Sequence, residues 1–292
     1  MEFPSVPYES GTFRRVYAQR RQGAGPALAQ SLLATTRHLA EWQPQWPLTY
    51  YGDPARPITI SELTLQAALR DFQAARARMI PVIFRLASAP VNPRLSLFYD
   101  VEPTPYGNIE YIWFSLPHQA PPESLNLEVL LELLGTVAAD FGAFNACIQD
   151  EQLSMVYYSQ RSARLARTHL PPELQQYVPD ITLPESQIQV PELLTPGEFD
   201  RAQVPEALWW LNFWGPGQAA AVGLERIRRL DWAYLDITAE GAVLNAVTAE
   251  PLDATYPHHI ERLSRLLTHL RLAELQRQAR SRVSGPEGND LL

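Results

Sequence analysis

Asp100, Glu102 and Glu110 are the side chains in this chain best suited to acid–base work. Asp100 and Glu102 are two apart and so share a face of any strand that carries them, with Glu110 across a hairpin. General acid–base catalysis needs two carboxyls held in differing environments around a cleft. The pattern instead predicts that all three sit on one solvated face. Three readings stay open: a catalytic pair, a plain solvated face, and an acidic face that binds a partner. The last has a physical basis, because aromatics interleave with the acids. Tyr99, Asp100, Glu102, Tyr106, Glu110, Tyr111 and Trp113 form the candidate partner-binding set. Acids steer a basic partner, and Tyr and Trp supply rigid contact area.

The other candidates are weaker. His258-His259-x-Glu261 opens a predicted helix, but adjacent histidines there point in different directions and three ligands do not share a face. His38, His118, His169 and His269 are scattered singly. Cys147 is the one cysteine, so the chain holds no intrachain disulfide and no multi-cysteine metal site; flanked by Ala146 and Ile148, it reads as buried rather than nucleophilic. No G-x-S-x-G elbow is present. Gly23-Ala24-Gly25-Pro26 lacks the lysine and the partner acid of a phosphate loop. All 24 basic residues are arginine, which removes Schiff-base and general-base lysine chemistry. No catalytic, cofactor or metal site is expected, and no cofactor.

A formal charge of −8 argues against a broad basic face for nucleic acid and suits a partner with a basic surface. No run approaches 18 uninterrupted apolar residues, and the start MEFPSVPYESGTFRR lacks the pattern of a signal peptide. A cytoplasmic protein that binds neither membrane nor nucleic acid directly is the expectation.

These residues need elements to hold them. The stretch 205–223, PEALWWLNFWGPGQAAAVG, packs Trp209, Trp210, Phe213 and Trp214 together; their spacing predicts a short buried helix acting as a packing hub. Pro216 starts a second helical turn and Gly223 stops it. Earlier, residues 13–20 read as a strand, and Pro26 opens a helix ending before Pro44. Ser61 caps another. Alternation over 95–102 and the apolar run 109–116 predict two strands joined at Gly107-Asn108. Leu127 to Phe141 is the clearest amphipathic helix. Residues 144–148 read as a strand and 153–170 as an arginine-rich helix. Residues 232–238 and 242–248 form a hairpin around Glu240-Gly241, and Pro257 begins a final helix.

Helices interleaved with hairpins predict an α+β fold with a largely antiparallel sheet, a pattern that also allows two similar lobes. The expected organisation is an N-terminal lobe at 12–170, a Pro-rich connection at 171–204 that is either a wrapping loop or a linker, a C-terminal lobe at 205–278 packed on the first, and a disordered tail at 279–292.

The C-terminal run resembles the end of bacterial immunity proteins of polymorphic-toxin and type VI secretion systems, and of a related uncharacterised bacterial family. The resemblance rests on Trp210, Asn212, Phe213 and Trp214; on Thr248, Pro251 and Asp253; and on Pro257 with His259. Tyr256 stands where those families often carry asparagine. LFYDVEPTPYG and EYIWFSLP also look like their central strands. The likeness spans roughly 80–275 and is firmest over 205–270. It implies a cytoplasmic protein that neutralises a cognate effector toxin by binding, without enzyme activity. A small-substrate or modification-reversing enzyme using the same carboxylates is the alternative.

Overall fold

Strand β1, Arg14–Arg21, sits in the middle of the sheet although it comes first in the chain. The computed structural model describes residues 14–25, 27–51, 58–78, 82, 84–90, 93–116, 126–161 and 190–281. After β1 come α1 (Leu28–Trp42), β2 (Tyr50–Tyr51), β3 (Ile58–Thr59), α2 (Glu62–Ala77), β4 (Phe84–Ala87), β5 (Ser96–Glu102) and β6 (Ile109–Ser115). Then follow α3 (Leu127–Phe141), β7 (Asn145–Asp150), α4 (Glu151–Arg161), β8 (Leu211–Trp214), α5 (Pro216–Val222), α6 (Leu224–Arg228), β9 (Tyr234–Ile237), β10 (Val243–Ala246), α7 (Pro257–Leu270) and α8 (Leu272–Ser281).

The described strands form one ten-stranded sheet in the order β3-β2-β4-β5-β6-β1-β7-β8-β10-β9. Every pairing is antiparallel. The α+β expectation holds. The sheet runs unbroken from the N-terminal to the C-terminal strands, because β7 pairs directly with β8. One apolar core extends along it, drawing residues from Val16 to Leu272.

Local signals explain the helices. Ser61 and Thr64 form a reciprocal capping box at the start of α2. Asn126 Oδ1 accepts from the Val129 amide at 2.9 Å to open α3, and Gly142 at φ 65° closes it. The apolar stripe of α3, Leu130, Leu134, Val137 and Phe141, is buried. Helix α4 spans Glu151–Arg161; the rest of the arginine-rich stretch and residues 171–189 of the Pro-rich connection lie outside the described residues.

Two expectations need correction. The tryptophan stretch carries strand β8, not a helix. A run of six residues satisfies either period, and here sheet pairing on both sides decides. Asn212 bonds to both backbone groups of Trp209, at 2.8 and 2.9 Å, which closes a tight turn into the strand. Gly215 then lies so near Phe144 that a Cβ would stand 3.1 Å from its carbonyl oxygen. Secondly, the final helix is two helices, broken at Arg271, which holds φ 57°. Helix α8 continues to Ser281, through the start of the expected tail; residues 282–292 lie outside the described residues.

Candidate functional site

Hairpin β5–β6 sends its side chains to two different environments, and its register decides which goes where. Val101 stands opposite Glu110 and Tyr99 opposite Ile112; Asp100 stands opposite Tyr111 and Phe98 opposite Trp113. Opposed residues share a face, so Tyr99 and Glu110 point one way while Asp100, Tyr111 and Trp113 point the other.

Tyr99 and Glu110 face helices α1 and α3 and are buried. Glu110 pairs with Arg20 at 2.5 Å and accepts from the Tyr99 hydroxyl at 3.1 Å. Arg20 also donates to Ser31 Oγ and to the Phe141 carbonyl, both at 3.2 Å, and lies over the Phe141 ring. Burial, then the Glu110 charge, pushes the Tyr99 hydroxyl far up. The three acids therefore do not share one solvated face. Glu110 belongs to a satisfied polar cluster inside the core.

The other face is an aromatic ladder. Phe98 and Trp113 stack with centroids 4.9 Å apart, Tyr111 follows Trp113 at 5.5 Å, and Tyr17 of β1 follows Tyr111 at 5.4 Å. All four rings are half-buried. Arg85 lies over Phe98. Asp100 edges the ladder, accepting from the Tyr111 hydroxyl at 3.3 Å and pairing with Arg76 at 3.1 Å. Burial first, and Asp100 second, raise the Tyr111 hydroxyl well above its ordinary value.

A strap of irregular chain, residues 190–206, fastens to the turn end of the hairpin. Arg201 is buried; it donates to Glu102 at 2.5 Å and lies 3.6 Å from Glu206. Arg21 pairs with Asp200 and donates to the Tyr106 carbonyl at 2.7 Å, while the Tyr106 hydroxyl donates to the Glu198 carbonyl at 3.0 Å. The Gln218 side chain holds the strap from behind, donating to the Arg201 carbonyl at 2.6 Å. Of the seven sequence candidates, Asp100, Tyr111 and Trp113 thus share the aromatic face. Glu102 and Tyr106 anchor the strap, and Tyr99 and Glu110 lie inside. Phe98 and Tyr17 were missed. Phe98 was open to period-2 reading from Asp100; Tyr17 arrives through long-range pairing that leaves no local signal.

The histidine pair acquires a neighbour from outside its helix. Glu250 comes within reach of His258 and His259, and their ligand-type atoms lie within 4.8 Å of one another. The hydrogen bonding of His259 argues against a metal there. Its Nδ1 accepts from the Asp253 amide at 3.0 Å, which places the ring proton on Nε2, 3.0 Å from Glu250 Oε1. A metal-binding imidazole instead presents a bare nitrogen to the ion and donates from the other. The arrangement clamps residues 250–253 onto α7 and holds the Glu250 carboxyl below its usual range, chiefly through the His259 hydrogen bond. Cys147 is buried, and that burial pushes its thiol well above the usual range, as an inert packing role requires. Among the described residues no helix is long and apolar enough to cross a membrane.

No protein-family model matches the chain, and no curated protein sequence matches it. Its fold is shared with a solved structure, the Pseudomonas aeruginosa type VI secretion system (T6SS) protein PA0821, at a TM-score of 0.50 and 15% identity. The match covers 93% of this chain and 84% of that one.

Proposed function

We propose that this chain is an immunity protein: it binds a cognate effector toxin of a type VI or related secretion system in the cytoplasm and blocks it by occupying its surface. The observation that carries the reading is the Phe98–Trp113–Tyr111–Tyr17 ladder, a rigid half-buried aromatic strip edged by the Asp100–Arg76 pair. Such a strip suits stoichiometric binding, with the aromatic rings as energetic anchors, while the net charge of −8 favours a partner with a basic surface. The shared fold with a T6SS protein and the sequence likeness over 205–270 support the same reading. The carboxylates near the strip are each engaged by an arginine, Asp100 by Arg76 and Glu102 by Arg201, which favours a binding role over turnover.

Co-expression with the product of the neighbouring gene, followed by co-purification, tests the proposal. Restored growth with a stable complex supports it. Restored growth without a complex points to an enzyme that undoes the damage, and a toxic neighbour with neither rescue nor complex overturns the pairing.

A further inference from the structure

The sheet's opposite side carries a second feature that the proposed function does not use. Between helices α1 and α3 lies a cavity of about 220 Å³ whose lining includes Trp42, Val129, Leu133 and Thr136. Glu41 and Glu132 stand at its rim with His38, and no arginine is among the described residues that line it. Glu41 is already bonded to His38 Nδ1 at 3.0 Å, while His38 Nε2 lies 3.3 Å from Asp140. Glu132 differs: it is exposed and makes no hydrogen bond or ion pair among the described residues.

The size is informative. Sites for drug-sized ligands run to roughly 300–1,000 Å³, so this cavity matches one side chain rather than a cofactor. Its chemistry is that of a long cation: Val129 and Leu133 for methylenes, the Trp42 indole for a cationic head, and an acid with unused acceptors beside it. A planar guanidinium meets all three demands better than an ammonium, because it stacks and pairs with a carboxylate at once.

We infer that the α1–α3 cavity receives an arginine side chain presented by a protein partner, on the side of the sheet opposite the aromatic ladder. Charge complementarity selects that occupant: a chain of net charge −8 places an unpaired acid over an apolar slot.

The test uses N-acetyl-arginine amide as probe against the intact protein, followed through the Trp42 indole N–H resonance, which a Trp42→Phe variant assigns. The arginine amide is expected to shift that signal saturably, and N-acetyl-citrulline amide, its uncharged isostere, is not. Glu132→Gln, at an exposed position that leaves the fold intact, is expected to weaken the probe about fivefold, the upper end for one solvent-exposed charged contact. Equal responses to arginine and citrulline overturn the inference. So do a shift at Trp113 instead of Trp42, an unchanged response in Glu132→Gln, or no response at all.

Discussion

Arg201 on the strap donates to Glu102 on the sheet across 2.5 Å, joining positions 99 residues apart. The guanidinium is buried and the carboxylate is half-exposed, so the two ends of this bond are not equivalent. Arg201 is fixed by the protein; Glu102 is what holds the strap to the hairpin.

Replacing Arg201 with Ala therefore loosens the strap and costs about 2 kcal/mol, the scale of a charged hydrogen bond plus lost packing. Urea denaturation measures the loss. Limited proteolysis of the folded variant is expected to cut between residues 190 and 206 faster than in the wild type.

Inside the core the hierarchy is steeper. Glu110→Ala strands the buried Arg20 guanidinium and is expected to cost about 3–5 kcal/mol. Tyr99→Phe removes one donor and leaves the Arg20–Glu110 pair intact, at about 1 kcal/mol. The ratio of the two losses, read from denaturation midpoints, separates a core cluster from a surface one.

Asp150 gives a pH signature. Its Oδ1 accepts from the Leu153 amide at 3.0 Å, while its buried Oδ2 has no hydrogen bond. Burial raises its pKa from 3.8 to about 6, against the pull of the Leu153 amide and Arg14. The folded value lies above the unfolded one, so the native chain binds more protons between these limits and stability falls as pH rises through that window. Asp150→Asn keeps the helix-capping oxygen and deletes the buried charge. At pH 7 it is expected to stabilise by about 1–3 kcal/mol, because a tenfold change in proton affinity is worth about 1.36 kcal/mol. The gain disappears below pH 3.8.

On the aromatic face, Trp113→Ala and Tyr111→Ala are expected to weaken the proposed complex with a toxin by about 2 kcal/mol or more each, while Asp100→Asn chiefly slows association and reduces its salt dependence. Surface plasmon resonance at two salt concentrations resolves these effects. Uniformly small losses would move the interface elsewhere.

The His259 tautomer bears on metal binding as well. Stoichiometric Zn²⁺ is expected to leave the melting temperature unchanged, whereas His259→Ala lowers it through loss of the Asp253 and Glu250 contacts. A zinc-dependent rise of the wild-type melting temperature would refute this.

Much of the fold was legible because local signals coincide with elements: the Ser61 box, the α3 stripe, the Gly107 turn at φ 105° and the Gly241 turn at φ 85°. What was hidden is non-local. Glu110 differs from Asp100 only by register, and register is set by which strand lies beside which. β8 became a strand through partners far along the chain, and the α7–α8 break falls at an arginine, where no glycine marks it. Residue types drew attention to the β5–β6 hairpin, but Tyr17 and Arg201 come to it, and Glu250 comes to His259, through tertiary approach that spacing does not encode.

The central place of β1 has a consequence for how the chain is made. β1 pairs with β6 and β7, and Arg14 meets Asp150, 136 positions later (150 − 14). At roughly 5–20 residues per second of synthesis, β1 waits on the order of ten seconds with both edges unsatisfied before either neighbour is complete. The hairpins β5–β6 and β9–β10 can pair locally, but insertion of β1 between β6 and β7 has to wait for both, which makes closure of the sheet's centre its most non-local step.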